Sequence, residues 1–155
     1  MAKYHRIKYT EARVFERLPT ASYGILSVID ADGRPYGVPL NYVYVADRQA
    51  LYFHAAKSGR KIDAIRAHNQ AHFTVILNES VMPEFFVTNY DALMLEGTVQ
   101  IVEDEDERLI AITALCDQLA AGETRRNEVI AGSLPRTVII RFDIAAVSGK
   151  ANRDR

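Results

Sequence analysis

Apolar residues in this chain recur mainly at every second position, in short runs parted by polar or glycine-bearing breaks, a pattern that predicts strands more often than helices. The first clear run, Tyr23 to Ile29, stops at Asp30-Ala31-Asp32-Gly33, whose Asp and Gly residues favour a tight turn. Tyr36 to Val45 resumes the alternation with Val38, Leu40, Tyr42 and Tyr44 on one face, so the two runs predict a hairpin. Asp47-Arg48-Gln49 makes a second polar break before the strand Leu51 to His54. Ala71 to Leu77, Leu93 to Val102 and Thr137 to Val147 complete a set of six strands. Gly97, inside the fifth, signals a bulge or a close approach of another backbone.

Three segments carry helical spacing instead. Thr10 to Leu18 places Val14, Phe15 and Leu18 on one side and stops at Pro19. Arg60 to His68 fits two turns with Ile62 and Ile65 inward. Asp104 to Ala121 opens on a cluster of acids, which suits the positive end of a helix, and sets Leu109, Ile112, Leu115, Cys116 and Leu119 at helical spacing before Gly122. No internal repeat, low-complexity tract or Pro/Ser-rich linker divides the chain, so residues 1–155 are read as one domain. The expected fold is mainly β (α+β): a six-stranded antiparallel barrel, closed or partly closed, with helices packed outside.

Composition narrows the function classes. With 19 Lys and Arg against 20 Asp and Glu, the net charge of −1 argues against a general nucleic-acid binder, which must neutralise many phosphates. The one cysteine, Cys116, cannot form an internal disulfide; on the apolar side of its helix it reads as core, and no Cys/His spacing resembles a zinc site. There is no apolar run long enough to span a bilayer and no basic-then-apolar leader, so the expectation is a cytoplasmic protein that does not engage membranes.

Two segments hold candidate chemistry. In Leu51 to Phe73 a strand ends at His54, a small-residue loop follows, and Ser58-Gly59-Arg60-Lys61 opens a helix. Free N–H groups and the positive dipole end attract anions there; Arg60 and Lys61 add fixed charge and Ser58 a hydroxyl donor, a good set for a phosphomonoester. The plainer alternative is a solvated helix face. The segment is not a Walker loop, since it lacks the Gly-Lys-Ser/Thr ending. In Tyr36 to Tyr44, Pro39 removes a ladder donor and Asn41 interrupts an apolar-aromatic run; these positions suit a planar, polar-edged ligand, or a satisfied amide at a barrel rim. Among the histidines, His5 falls in an N-terminal tail expected to be mobile, and His68 and His72 flank the end of the short helix. His54 ends a strand, where an imidazole can hold or donate a proton, or serve a structural or ligand-packing role.

The stretches GILSVIDADGRPYGVPLNYVY and LYFHAAKSGRKIDAIRAHNQAHFTV resemble the FMN-binding split barrels of the pyridoxamine 5′-phosphate oxidase superfamily, and within it the nitroimidazole-resistance, nitroreductase-like branch. TNYDALMLEGTVQIVEDEDER and FDIAAVSGKANR resemble the same branch, so the likeness covers most of Tyr23 to Arg153. It implies a homodimer with FMN at the subunit interface. By the same resemblance Arg60 and Lys61 hold the phosphate, His54 and Ala55 lie along the flavin, and Pro39, Leu40, Asn41 and Tyr42 present backbone to the ring. Tyr90 and Ala92 begin a strand passing the ring from another side, although relatives often carry a hydroxyl or amide where Ala92 stands, and Lys150 and Arg153 close the site. True pyridoxamine phosphate oxidases share a Trp-containing C-terminal motif; this chain has no Trp, which argues against the vitamin-B6 reaction.

The expected function is therefore an FMN-dependent oxidoreductase that passes a hydride to a small electron-poor, nitroaromatic-like substrate, with His54 as proton donor. A flavin-binding or flavin-storing protein without turnover, a haem-binding relative and a deazaflavin-binding relative remain the alternatives.

Overall fold

The computed structural model describes residues 5–153, and the alternating pattern becomes eight strands and four α-helices among them. In chain order these are β1 (His5–Tyr9), α1 (Glu11–Arg17), β2 (Tyr23–Ile29), β3 (Pro35–Asn41), β4 (Val43–Val45), β5 (Ala50–Ala56), α2 (Arg60–Ala67), β6 (Gln70–Met82), β7 (Val87–Val102), α3 (Glu105–Leu119), α4 (Arg126–Ser133) and β8 (Thr137–Arg153). The expected count of six needs correcting, for two reasons. The run Tyr36 to Val45 is interrupted at Tyr42, giving β3 and β4, and the N-terminal segment forms β1, so His5 lies opposite Arg153 of β8 instead of in a loose tail. β6, β7 and β8 also run longer than their apolar cores, because pairing continues past the last apolar residue wherever a partner strand is available. Helix α4 has no strong apolar period and was not expected.

Every ladder is antiparallel, in the order β3-β2-β6-β7-β8-β5-β4, with β1 added along the later half of β8. The two end strands, β3 and β4, are parted in sequence only by Tyr42, so the sheet must curl until its ends meet. Tyr42 itself turns inward, where its hydroxyl donates to the Leu18 carbonyl at 2.5 Å and burial pushes its pKa upward. Gly97 meets both expectations. The β7–β8 register shifts between Glu96 and Gly97, and a Cβ on Gly97 would lie 2.0 Å from the Asp143 carbonyl oxygen.

The barrel interior is filled by the inward half of each alternation, including Leu26, Phe53, Phe73, Leu93, Leu95 and Phe142. Phe73 sits among Tyr42 and Phe53, each 5.1 Å away between ring centres, with Phe142 at 6.4 Å. Each such fully buried side chain stabilises the fold by about 1.5–3 kcal/mol. Helix α1, capped by the Thr10 hydroxyl, contributes Val14, Leu18 follows at its C-terminal end, and α2 contributes Ile62 and Ile65 as its spacing predicts. Helix α3, capped by the Asp104 carboxylate, lies outside the barrel and packs Ala111, Ile112 and Leu115 on Val43, Ala50, Tyr52 and Ile139. Its apolar stripe is narrower than expected: Leu109 and Leu119 are exposed, and Cys116 is half-buried. Polar bonds help hold this helix, since the Tyr52 hydroxyl donates to Glu107 at 2.5 Å and Arg141 donates to the same carboxylate at 3.0 Å.

Candidate functional site

Strand β5 sends Leu51, Phe53 and Ala55 into the barrel and leaves His54 and Ala56 exposed on the outer face. On β3 the inward set is Tyr36, Val38 and Leu40, and the outward set is Pro35, Gly37, Pro39 and Asn41. The β4–β5 ladder ends at Val43 paired with Tyr52; extended two residues past the break at Tyr42, its register brings Asn41 level with His54, and both side chains are exposed. The Asn41 amide donates to the Ser22 carbonyl at 3.0 Å, which pins the start of β2, and the residue stays exposed. Leu40, Tyr42 and Ala55 point inward, so only their backbone can meet a ligand on this face.

The strand end leads into the start of α2. Gly59, at φ +117, makes the turn that an L side chain would strain. Its carbonyl accepts from the N–H groups of Ile62 at 2.8 Å and Asp63 at 3.1 Å. The N–H groups of Arg60 and Lys61 come earlier in the helix and have no intrahelical acceptor. Ser58 is exposed beside them.

The two cations differ in a way the sequence did not reveal. Arg60, expected as a phosphate ligand, is engaged within the chain: one terminal nitrogen donates to Asp30 Oδ2 at 2.8 Å, and the guanidinium lies 4.3 Å over the Tyr36 ring. Lys61 is half-buried and, among the described residues, has no ion-pair or hydrogen-bond partner. The adjoining cleft, lined by Asp30, Asp32, Arg34, Arg60 and Asp63, holds three carboxylates against two guanidiniums. Attraction for an anion at this end therefore rests on Lys61 and the helix start, with Arg60 adding directed bonds.

The remaining expected residues lie elsewhere on the barrel. Ala92 of β7 pairs with Lys150 of β8 and with Ile76 of β6, and the Lys150 ammonium stands 5.9 Å from the centre of the Tyr90 ring. Asn41 pairs with Tyr23, and Ile76, Ala92 (itself buried, 3% exposed) and Lys150 pair in turn; extending the β2–β6 and β4–β5 registers by two residues joins them into one row with His54. His54 and Lys150 are thus five strand spacings apart, roughly 24 Å along the curled sheet. Between them Tyr23 (60%), Ile25 (38%) and Ile76 (52%) are exposed, and Gln118 near the end of α3 borders Tyr23 and Ile76, donating to the Ala21 and Tyr42 carbonyls at 3.0 and 3.1 Å.

Arg153 does not reach that outer row either. It donates to both oxygens of Asp91, at 2.8 and 2.6 Å, and Arg17 (3.4 Å) and Asn78 (2.9 Å) bond the same buried carboxylate. Burial alone would raise the Asp91 pKa, but the bonds from Arg153, Asn78 and Tyr9 outweigh it and hold the carboxyl below its usual range. This cluster escaped sequence reasoning. The available signal was an aspartate interrupting the apolar run Tyr90 to Leu95. In sequence Asp30 and Tyr36 likewise carry only turn and strand signals. His72 lies on the outer face of β6, its Nδ1 3.2 Å from the Thr74 hydroxyl, and His68 ends α2.

Residues 10–151 match the family model described as pyridoxamine 5′-phosphate oxidase. No curated protein matches the chain. Among solved structures, the chain is similar to a candidate 5-nitroimidazole antibiotic resistance protein from Bacteroides thetaiotaomicron, with a TM-score of 0.78 and 18% identity over 98% of this chain and 90% of that one. It is also similar to an FAD- and haem-binding protein from Mycobacterium smegmatis, with a TM-score of 0.77 and 20% identity over 94% of this chain and 73% of that one. A third is an FAD-binding protein from Mesorhizobium loti, with a TM-score of 0.70 and 22% identity over 94% and 97% of the two chains. At these identities the likeness establishes the fold they share.

Proposed function

Because the chain belongs to the pyridoxamine 5′-phosphate oxidase family, we propose that it binds FMN on the outer face of the barrel and acts as an oxidoreductase on a small electron-poor, nitroaromatic-like compound. The observation that carries this reading is the continuous outer surface from the start of α2 to the exposed pair His54 and Asn41, with the unpartnered Lys61 at one end. One helix start, one free ammonium and the open edge of Arg60 suit one terminal phosphate. That two similar structures are described as FAD-binding supports a flavin as the ligand.

The two groups of expected residues bear on assembly. Tyr90, Ala92 and Lys150 are roughly 24 Å along the sheet from His54, too far for one subunit to wrap a single isoalloxazine with both. A homodimer resolves this: a second copy packed on Tyr23, Ile25 and Ile76 covers an apolar face that otherwise stays wet and brings its own Tyr90 and Lys150 to the first copy's His54. Bound FMN supplies hydride transfer to a substrate stacked on its ring. The chain's own part is to anchor the phosphate through Lys61, Arg60 and Ser58, to seat the ring on the β3 backbone where Pro39 leaves no N–H, and to hold a proton at the His54 imidazole. The absence of Trp argues against pyridoxamine phosphate as substrate. A cytoplasmic setting is part of the proposal; among the described residues no helix is long and apolar enough to cross a membrane.

The test is the visible spectrum of the purified chain, followed by FMN and riboflavin titrations of the native protein and of an Arg60→Ala/Lys61→Ala variant. Two broad oxidised-flavin bands are expected, FMN should bind the native chain far more tightly than riboflavin, and the variant should lose that preference. A Soret band, a single near-violet band, or equal affinity for FMN and riboflavin would overturn the assignment.

A further inference from the structure

The engagement of Arg60 with Asp30 has two opposite physical readings. The carboxylate could occupy the guanidinium and compete with a phosphate, or it could hold the guanidinium in the position from which it binds one. The surroundings of Asp30 separate them. Its side chain is buried and fixed from three directions: Oδ1 accepts from the N–H groups of Asp32 at 3.0 Å and Arg34 at 2.9 Å, and Oδ2 accepts from Arg60 at 2.8 Å. The turn around it is closed by backbone bonds from Asp30 N–H to the Arg34 carbonyl and from Gly33 N–H to the Asp30 carbonyl, both 2.9 Å. Asp30 is therefore an immobile anchor.

Arg60 meets that anchor through one terminal nitrogen only, while its side chain stays 52% exposed. A guanidinium has five N–H donors in a rigid plane, so one bond to Asp30 leaves the rest of the fork open. The Tyr36 ring, 4.3 Å beneath, fixes the tilt of that plane. Asp32 adds no competition for the fork, since it pairs with Arg34 at 3.4 Å. Two contacts made by one end and one face of the guanidinium define its orientation and leave the opposite edge clear.

We propose that Asp30 and Tyr36 are positioning residues for the flavin phosphate, holding the Arg60 guanidinium from behind and beneath so that its free edge is preset for the anion. The inference rests on the FMN reading above and deepens it. It removes the entropy of ordering a long, exposed side chain at the moment of binding. It also assigns the β2–β3 turn, 30 residues before the helix, a role in choosing phosphorylated over unphosphorylated flavin.

The experiment compares FMN and riboflavin affinities for the full-length native chain, Asp30→Asn, Arg60→Ala and the double variant. Asparagine keeps the Oδ1 acceptor and hence the turn, while removing the charge that holds Arg60. Preference for FMN over riboflavin should fall about tenfold in D30N, with riboflavin affinity unchanged, and Tyr36→Leu should lower it in the same direction. In the Arg60→Ala background, D30N should have no further effect, a dependence that a merely structural role of the turn would not produce. An unchanged or raised preference in D30N, or the same loss with and without Arg60, would overturn the positioning role while leaving FMN binding intact. A native chain that does not distinguish FMN from riboflavin would overturn both.

Discussion

Asp91 offers a sharp test of how the barrel end is held together. The carboxylate is fully buried on β7 and receives bonds from Arg153, Arg17 and Asn78, so three elements, α1, β6 and β8, converge on it. Asp91→Asn keeps the volume and removes the charge, so no cavity term enters. Two guanidiniums then face a neutral amide whose NH2 group is a donor where acceptors are required. Removing one partner of a buried ion pair costs about 3–5 kcal/mol. Here the arginines keep 21% and 47% of their side-chain exposure, so water relieves part of that penalty and about 2–4 kcal/mol is expected. With a urea slope near ~2 kcal/mol/M, the unfolding midpoint should drop by roughly 1–2 M. The pH dependence supplies a second reading. The folded carboxyl titrates below its ordinary value, so its contribution is complete above the unfolded-state pKa of about 3.9 and is lost as pH falls through the folded one. Native protein and variant should differ fully at neutral pH and converge in acid. A midpoint shift under about 0.3 M at neutral pH, or a difference that persists undiminished in acid, would refute the reasoning.

Three further outcomes are expected. Gly97→Ala places a Cβ 2.0 Å from the Asp143 carbonyl oxygen, so the β7–β8 ladder must part; a loss of about 2 kcal/mol or more, seen as a drop of roughly 4–8 °C in Tm, is the measure. His54→Ala should keep FMN affinity but slow reoxidation of the reduced flavin by a nitroaromatic ~100-fold; loss of flavin with normal reactivity of the remainder would make His54 a packing residue. Ile76→Asp, on the exposed outer face of β6, should convert a particle of twice the chain mass by light scattering into a monomer that releases flavin, and a native monomer with full flavin occupancy would rule out the shared site.

The parts of this protein legible in its sequence are those governed by neighbours within a few residues. A period of two along Tyr23 to Ile29 and Tyr36 to Tyr44 decides which side chains turn inward, because successive Cβ atoms must point to opposite faces. Thr10 and Asp104 cap their helices through bonds that span three residues, and Asp30 to Gly33 closes a turn within four. The order of chemistry along the chain, with His54 exposed at a strand end and Arg60 and Lys61 at a helix start, follows from the same local rules. Long-range pairing lay beyond them. The N-terminal segment is a strand only because β8 outruns β5 and leaves an edge for it, and the break at Tyr42 reflects a barrel that must close. Which cation is free was likewise undecidable: Arg60 and Lys61 are adjacent and alike in sequence, but Asp30 and Tyr36 reach only the first. Asp91 reads as a polar flaw in an apolar run until the fold brings Arg17 and Arg153 to it, from 74 and 62 residues away. A buried charge is tolerable only with partners, and only tertiary structure supplies partners at that separation.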